Sequence, residues 1–191
     1  RFFRDPPLAA YHILERTLRY LKGTPTLGIT YTQDDNSPPV LYADSSNHDD
    51  HTTCRSTLGY CVLWKGAAIA YYSHLSDKVA KHIQESELYA LHACIDKWKG
   101  LRKDFAALNI LPDAPVTAYC DNTAVCKGAD NRHYFRKSMR HVDAKYCSIH
   151  EDNGVSVNIL GVQSNANVAD FFTKSQSDSD FLTFRKAVMG C

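Results

Sequence analysis

Apolar residues recur at a helical interval near the start of the chain, at Leu8, Tyr11, Leu14, Leu18 and Leu21, before Lys22-Gly23. That spacing predicts an amphipathic helix with a glycine stop. From Pro25 the period changes. Leu27, Ile29 and Tyr31 alternate with smaller or polar residues in an extended stretch that closes at Asp34-Asp35-Asn36-Ser37-Pro38-Pro39, a turn-rich string. Strands are predicted over Val40 to Asp44, Leu58 to Trp64 and Ala67 to Ser73, the last two joined as a hairpin at Lys65-Gly66. Leu88, Leu91, Ile95, Trp98, Arg102 and Phe105 then share one side of a long helix, about 84–105. Beyond a Pro-containing loop, Val116 to Cys120 reads as a strand, followed by a short helix near 122–128 and a second helix over about 137–152. A strand from Val155 to Val162 and helical segments near 165–174 and 180–188 complete the chain. Three strands, helix, strand, helices, strand and helix are buried most economically as a mixed sheet with helices on both faces.

Composition agrees with a folded protein. The 191 residues are 44% hydrophobic and 23% charged, with nine Gly and seven Pro, which excludes disorder, collagen and low complexity. A chain of this length buries roughly 70% of its unfolded surface, so one core with a short appendage is expected rather than two full domains. No stretch reaches the roughly 20 apolar residues of a membrane span, and no membrane partner is expected. Arg1-Phe2-Phe3-Arg4-Asp5 has neither an initiating Met nor an apolar signal region, as expected of a piece cut from a longer protein. The seven cysteines form no Cys-x-x-Cys pair, and most sit in apolar runs such as Gly59 to Trp64 and Val116 to Cys120. Neither a zinc site nor a disulfide framework is expected, and free thiols of this kind point to a reducing, intracellular compartment.

Net charge is +1, but it is unevenly spread. Gly23 to Cys54 contains five Asp and no Lys or Arg, whereas Lys127, Arg132, Arg136, Lys137, Arg140 and Lys145 face only Asp130 and Asp143 in their segment. A solvated loop and helix face accounts for such a cluster; the functional alternative is a phosphate-contacting surface beside an acidic one that attracts metal.

Four carboxylates lie where predicted strand and helix ends converge: Asp44, Glu87, Asp121 and Asp170. Carboxylates about 4 Å apart repel one another unless cations sit among them. Four acids gathered from distant parts of the chain therefore imply hard divalent ions with oxygen ligands, Mg²⁺ or Mn²⁺. Taken singly, Asp44 and Asp121 serve equally well as turn formers, and Asp121-Asn122 as a helix cap. Glu85 competes with Glu87, but at about 100° per residue Glu87 falls roughly 50° from the centre of the apolar face and Glu85 roughly 110°, which favours Glu87. His48 and His51, beside Asp49-Asp50, read as a solvated polar loop, and His141 with Asp143 as part of the basic helix. Trp98, Tyr119 and Tyr134 read as packing aromatics.

The strings Tyr42-Ala43-Asp44-Ser45, Arg55-Ser56-Thr57-Leu58-Gly59-Tyr60, Glu85-Ser86-Glu87-Leu88-Tyr89-Ala90-Leu91, Tyr119-Cys120-Asp121-Asn122, Arg140-His141-Val142-Asp143 and Asn167-Val168-Ala169-Asp170-Phe171-Phe172-Thr173-Lys174 occur in the order seen in the ribonuclease H region of copia-type LTR retrotransposon Pol polyproteins, which this chain resembles. The opening Leu14 to Thr24 is similar to the tail of the upstream reverse transcriptase. The resemblance implies a ribonuclease H-like α/β fold, with a mixed five-stranded sheet of three antiparallel and two parallel strands. It divides the chain into the end of the reverse transcriptase (1–24), the ribonuclease H domain (25–176) and a C-terminal helical tail (177–191). It also implies endonucleolytic hydrolysis of the RNA strand of RNA/DNA hybrids, giving 5′-phosphate and 3′-hydroxyl ends. Asp44, Glu87, Asp121 and Asp170 would be both the catalytic acids and the ligands of two Mg²⁺ ions, with Mn²⁺ as a substitute. Asp44 would bridge both ions, Glu87 and Asp121 would serve the nucleophile side, and Asp170 would complete the second ion. Ser45, Ser46, Asn122 and Thr123 are candidates for 2′-hydroxyl contacts, and Arg132, Arg136, Lys137 and Arg140 for phosphates. The reverse transcriptase domain of the same polyprotein would be a partner, and the setting a cytoplasmic retroelement particle or the nucleus.

Three features depart from the family pattern. Ser45-Ser46 stands where Ala usually follows the first Asp, and Lys81-His82-Ile83-Gln84 replaces a serine-rich run. The loop before the last Asp, Gly161-Val162-Gln163-Ser164-Asn165, lacks the His that many cellular ribonucleases H carry there. Two rival readings remain open: a catalytically silent interaction module, and a DNA-directed nuclease or strand-transfer enzyme on the same fold. The presence of all four acids argues against the first, and their spacing against the second.

Overall fold

Lys65 and Gly66 both adopt positive φ, 56° and 81°, the left-handed pair that a two-residue hairpin turn requires. They join β2 (Thr57–Trp64) to β3 (Ala67–Leu75) in antiparallel register, with an irregularity at Val62/Leu63. The computed structural model describes residues 7–50, 52–111, 114–131, 133, 142 and 149–191. β1 (Val40–Ser45) pairs antiparallel with β2 and parallel with β4 (Val116–Cys120), and β4 pairs parallel with β5 (Val157–Gly161). The sheet order is β3-β2-β1-β4-β5, the mixed five-stranded sheet expected from the sequence.

Each strand turns alternate residues to opposite faces, and the apolar ones divide into two cores. On one face, Leu41, Ala43, Tyr60, Val62, Ala118 and Ile159 pack beneath Leu88, Leu91, Ile95 and Trp98 of α2 (Ile83–Ala107). The short helices α3 (Thr123–Asp130) and α4 (Ile149–Asp152) extend this layer through Val125 and Ile149. Trp98, only 1% exposed, donates its indole N–H to the Ser156 carbonyl at 3.3 Å. It is a core residue, as expected. On the other face, Cys61 and Ala68 meet Val168 of a 3₁₀ segment (Val168–Phe172) and Phe184 and Val188 of α5 (Asp178–Met189). The C-terminal helix is thus packed against the sheet.

α1 (Leu8–Gly23) forms as its periodicity predicts but buries no residue. It meets the body where Tyr20 stands edge-on to Phe181, ring centroids 5.6 Å apart, and where Arg16 pairs with Asp178 at 3.6 Å. The stretch from Pro25 to Tyr31 joins no strand among the described residues. Instead Thr30 donates its N–H to the Met189 carbonyl, and Thr32 to that of Lys65, at 2.8 Å each, so it runs past the end of α5 and the hairpin. Of the predicted helix over 137–152, Ile149–Asp152 is helical; residues 137–141 and 143–148 lie outside the described residues.

Candidate active site

β1 serves both faces of the sheet at its C-terminal end. Asp44 is directed to the face that carries the 3₁₀ segment, where Thr173 Oγ1 donates to its Oδ2 and Lys174 Nζ lies 3.1 Å from its Oδ1. Its neighbour Ser45 points the other way, donating to Ser86 Oγ of α2 at 2.8 Å. Glu87, one residue further along α2, is 4% exposed. Asp121 follows β4 directly, and the Ser164 hydroxyl donates to its Oδ2 at 2.7 Å. Asp170 lies in the 3₁₀ segment, with Lys174 Nζ 3.0 Å from its Oδ1.

The four acids named from the sequence gather at one end of the sheet. Ligand atoms of Asp44, Asp121 and Asp170 lie within 4.8 Å of one another, as do those of Glu87, Cys120 and Asp121. Asp121 is common to both groups. Burial, reinforced by the Asp170 charge, pushes the Asp44 carboxyl up to about 6, although Thr173 and Lys174 pull against it. Burial acts more strongly on Glu87; with the charges of Asp44 and Asp121 it raises that carboxyl to about 9, despite hydrogen bonding to Ser45. Glu87 Oε2 is buried and has no hydrogen-bond partner among the described residues.

A buried Glu87 oxygen left without a hydrogen-bond partner among the described residues, near Asp121 and Asp44, joins a set of hard oxygen donors in which Lys174 supplies positive charge to Asp44 and Asp170 alone, so the residues fit hard divalent cations. Cys120 fits less well, because its thiol pKa is raised by its interaction with Cys126 and by burial, and a protonated thiol is a poor ligand.

Glu85 is as buried as Glu87, which the helical-wheel argument did not anticipate. It accepts from the Lys81 N–H at 2.8 Å and from the Tyr89 hydroxyl, so it fastens the entry to α2 instead of joining the acids. Ser45 and Ser46, candidates for substrate contact, are both buried, and Ser46 Oγ accepts from the Thr57 N–H at 2.7 Å. Asn122 caps α3, its carboxamide oxygen accepting from Ala124 and Val125. Thr123 is the exposed one of these four. Arg132, Arg136, Lys137 and Arg140 lie outside the described residues, as does Tyr134.

The loop before β2 is more ordered than a solvated polar loop. Asp49 accepts from both the N–H and the hydroxyl of Thr57, and Asp50 accepts from Thr52 N–H and the Thr53 hydroxyl. His48 Nε2 meets the Ala80 carbonyl at 2.7 Å.

Sequence reasoning assigned no role to Gly59, Ser164, Asn167, Thr173 or Lys174. Asn167, fully buried, donates from Nδ2 to the Ala43 carbonyl at 3.0 Å and so ties the 3₁₀ segment to β1 beside Asp44. Four of the five fall in strings that carry the resemblance, which was the available signal; Ser164 lies in the loop noted as a departure from the family pattern.

Sequence comparison adds relatives. No protein-family model matches the chain. It is 28% identical over 177 residues, 91% of its length, to the retrovirus-related Pol polyprotein from transposon TNT 1-94 of Nicotiana tabacum. It is 25% identical over 98% of its length to that from transposon RE1 of Arabidopsis thaliana. The chain spans 13% of each polyprotein. Among solved structures, it is similar to the N-terminal RNase H domain of a Mycobacterium tuberculosis protein, solved as a fusion with maltose binding protein. The TM-score is 0.51 and the identity 14%, covering 76% of this chain and 96% of that one.

Proposed function

We propose that this chain, a homologue of plant-transposon Pol polyproteins with a ribonuclease H-like fold, cuts the RNA strand of RNA/DNA hybrids during retrotransposon reverse transcription. The observation that carries this reading is the gathering of Asp44, Glu87, Asp121 and Asp170 from separate parts of the chain at one end of the sheet, in two groups of converging ligand atoms that share Asp121. These four side chains would hold two divalent cations, Mg²⁺ with Mn²⁺ as a substitute. Bound there, the cations supply activation of water and stabilisation of the leaving 3′ oxygen at a phosphodiester, for 5′-phosphate and 3′-hydroxyl products.

The chain's own residues prepare the site. Ser164 fixes the orientation of Asp121, and Thr173 and Lys174 together grip both oxygens of Asp44. Asn122 sets the direction in which the chain leaves Asp121 by capping α3, leaving Thr123 at the surface to meet 2′-hydroxyls across the wide minor groove of a hybrid. Arg132, Arg136, Lys137 and Arg140 are assigned to the phosphate backbone on charge alone. Residues 1–24 are assigned to the end of a reverse transcriptase domain in the same polyprotein, a partner that would cover the apolar side chains Leu14, Leu18 and Leu21 exposed on α1. The setting would be a cytoplasmic retroelement particle or the nucleus.

The test is substrate choice. Labelled RNA/DNA hybrid, RNA duplex and DNA duplex are each incubated with the chain in Mg²⁺, Mn²⁺ or EDTA, and product ends are mapped. Cutting confined to the RNA strand of the hybrid, with 5′-phosphate ends and none in EDTA, is expected. Cutting of duplex DNA would favour a strand-transfer or DNA-directed enzyme, and binding without cutting under every condition an interaction module.

A further inference from the structure

Lys174 sends its ammonium into the acidic cluster. Nζ lies 3.1 Å from Asp44 Oδ1 and 3.0 Å from Asp170 Oδ1, two of the three carboxylates whose oxygens fall within 4.8 Å of one another. One cation thus already bridges two of the acids assigned to cation binding. The backbone makes this placement natural: Asp170 and Lys174 are four residues apart, and the Thr173 hydroxyl holds the other oxygen of Asp44. A lysine side chain carries its charge at neutral pH, and here that charge faces two carboxylates at hydrogen-bonding distance.

The lysine is nevertheless partly exposed to solvent. Its side chain is 41% exposed, against 0% for Asp44 and 15% for Asp170. It also lines an open groove of about 460 Å³, with Ile13, Tyr20, Phe171 and Gln176, which gives a displaced side chain somewhere to go. A compact, strongly hydrated charge on a flexible stem suits such exchange.

We propose that Lys174 is a tethered counter-cation, a positioning residue that holds the Asp44–Asp170 pair together until a divalent cation displaces it, and so sets the cation affinity of that half of the site. The inference rests on the reading of the four acids as a cation site. Its consequence is a competition: the lysine stabilises the cation-free fold and weakens cation binding by the same interaction.

The test is a calorimetric Mn²⁺ titration of the full chain, for the wild type and for Lys174→Met, Lys174→Gln and Lys174→Arg, with melting measured in EDTA and in saturating Mn²⁺. Met and Gln variants are expected to bind Mn²⁺ on the order of tenfold more tightly, as when one adjacent, partly screened charge is removed. They should melt lower than wild type in EDTA, and the gap should close in saturating Mn²⁺. Lys174→Arg, which restores the charge, should return both readings toward wild type. Gln separates charge from scaffolding, since it can hydrogen-bond to the carboxylates without neutralising them. Wild-type affinity or weaker binding in both Met and Gln variants overturns the inference and leaves the cation site standing. Absence of Mn²⁺ binding in wild type and variants alike overturns the cation site and the inference together.

Discussion

Gly59 stands directly across the β1–β2 ladder from Asp44, and its missing side chain is what lets the 3₁₀ segment reach the aspartate. A Cβ at position 59 would lie 2.5 Å from Thr173 Cγ2, 3.1 Å from Phe172 Cβ and 3.3 Å from the Ala169 carbonyl. Gly59→Ala therefore forces Thr173 and Lys174 away from Asp44. Denaturant unfolding should show a loss of about 1–3 kcal/mol, the usual cost of overpacking, and hybrid cleavage should fall. Unchanged stability together with unchanged cleavage would mean that this close approach has no part in the site.

Stability of the cation-free chain should fall as pH rises. Asp44 is raised from 3.8 to about 6 and Glu87 from 4.5 to about 9, so both acids hold their protons more tightly in the folded chain than in the unfolded one. The stability each contributes is complete below its unfolded pKa and is lost as pH climbs toward its folded pKa. Above pH 6 Glu87 carries most of the remaining slope, so melting in EDTA between about pH 6 and 9 should decline in wild type and decline less in Glu87→Gln. Equal slopes in the two proteins would contradict the burial of a protonated Glu87. Saturating Mg²⁺ should flatten the wild-type curve, because a bound cation favours the ionised carboxylate.

Ser164 donates to Asp121 at 2.7 Å from the loop that follows β5. Removal of a hydrogen bond that orients a metal ligand typically costs 10–100-fold in affinity or activity. In Ser164→Ala the Mg²⁺ concentration for half-maximal cleavage should rise by about tenfold or more, with the melting temperature in EDTA nearly unchanged. An unaltered Mg²⁺ requirement would remove Ser164 from the site.

Trp98 provides the stability reference. Truncation of this fully packed indole, far from the acids along α2, should cost about 3–5 kcal/mol in Trp98→Ala, read as a shifted denaturant midpoint. A cost below about 1 kcal/mol would contradict the central place of α2 in the core.

The sheet was legible because its strands alternate and its turns are marked. Lys65-Gly66 announces the hairpin, and the Leu88–Leu91–Ile95–Trp98 stripe announces α2. The stretch from Pro25 to Tyr31 also alternates, yet the N–H of Thr30 goes to Met189 and that of Thr32, just beyond it, to the turn at Lys65, partners set by tertiary packing that no local pattern encodes. Among the site residues, the four acids were visible by position and by resemblance. The groups that hold them were not: Thr173 reaches Asp44 across 129 positions and Ser164 reaches Asp121 across 43, and spacing carries no information about such contacts. Ser45 and Ser46 illustrate the converse. Polar residues beside an acid suggest substrate contact, but the pleat turns Ser45 inward to Ser86, and Ser46 is held by the Thr57 backbone.

The most direct measurement is the rate at which the RNA strand of a labelled hybrid is cut in Mg²⁺ by the wild-type chain and by Asp121→Asn, under single-turnover conditions. Asp121 belongs to both groups of converging ligands, so the expected result is Mg²⁺-dependent cutting by wild type and a rate below about one hundredth of it in the variant, a larger loss than for an orienting residue. Equal rates in the two proteins, or cutting that persists in EDTA, would contradict a cation-dependent ribonuclease H site built on these four acids.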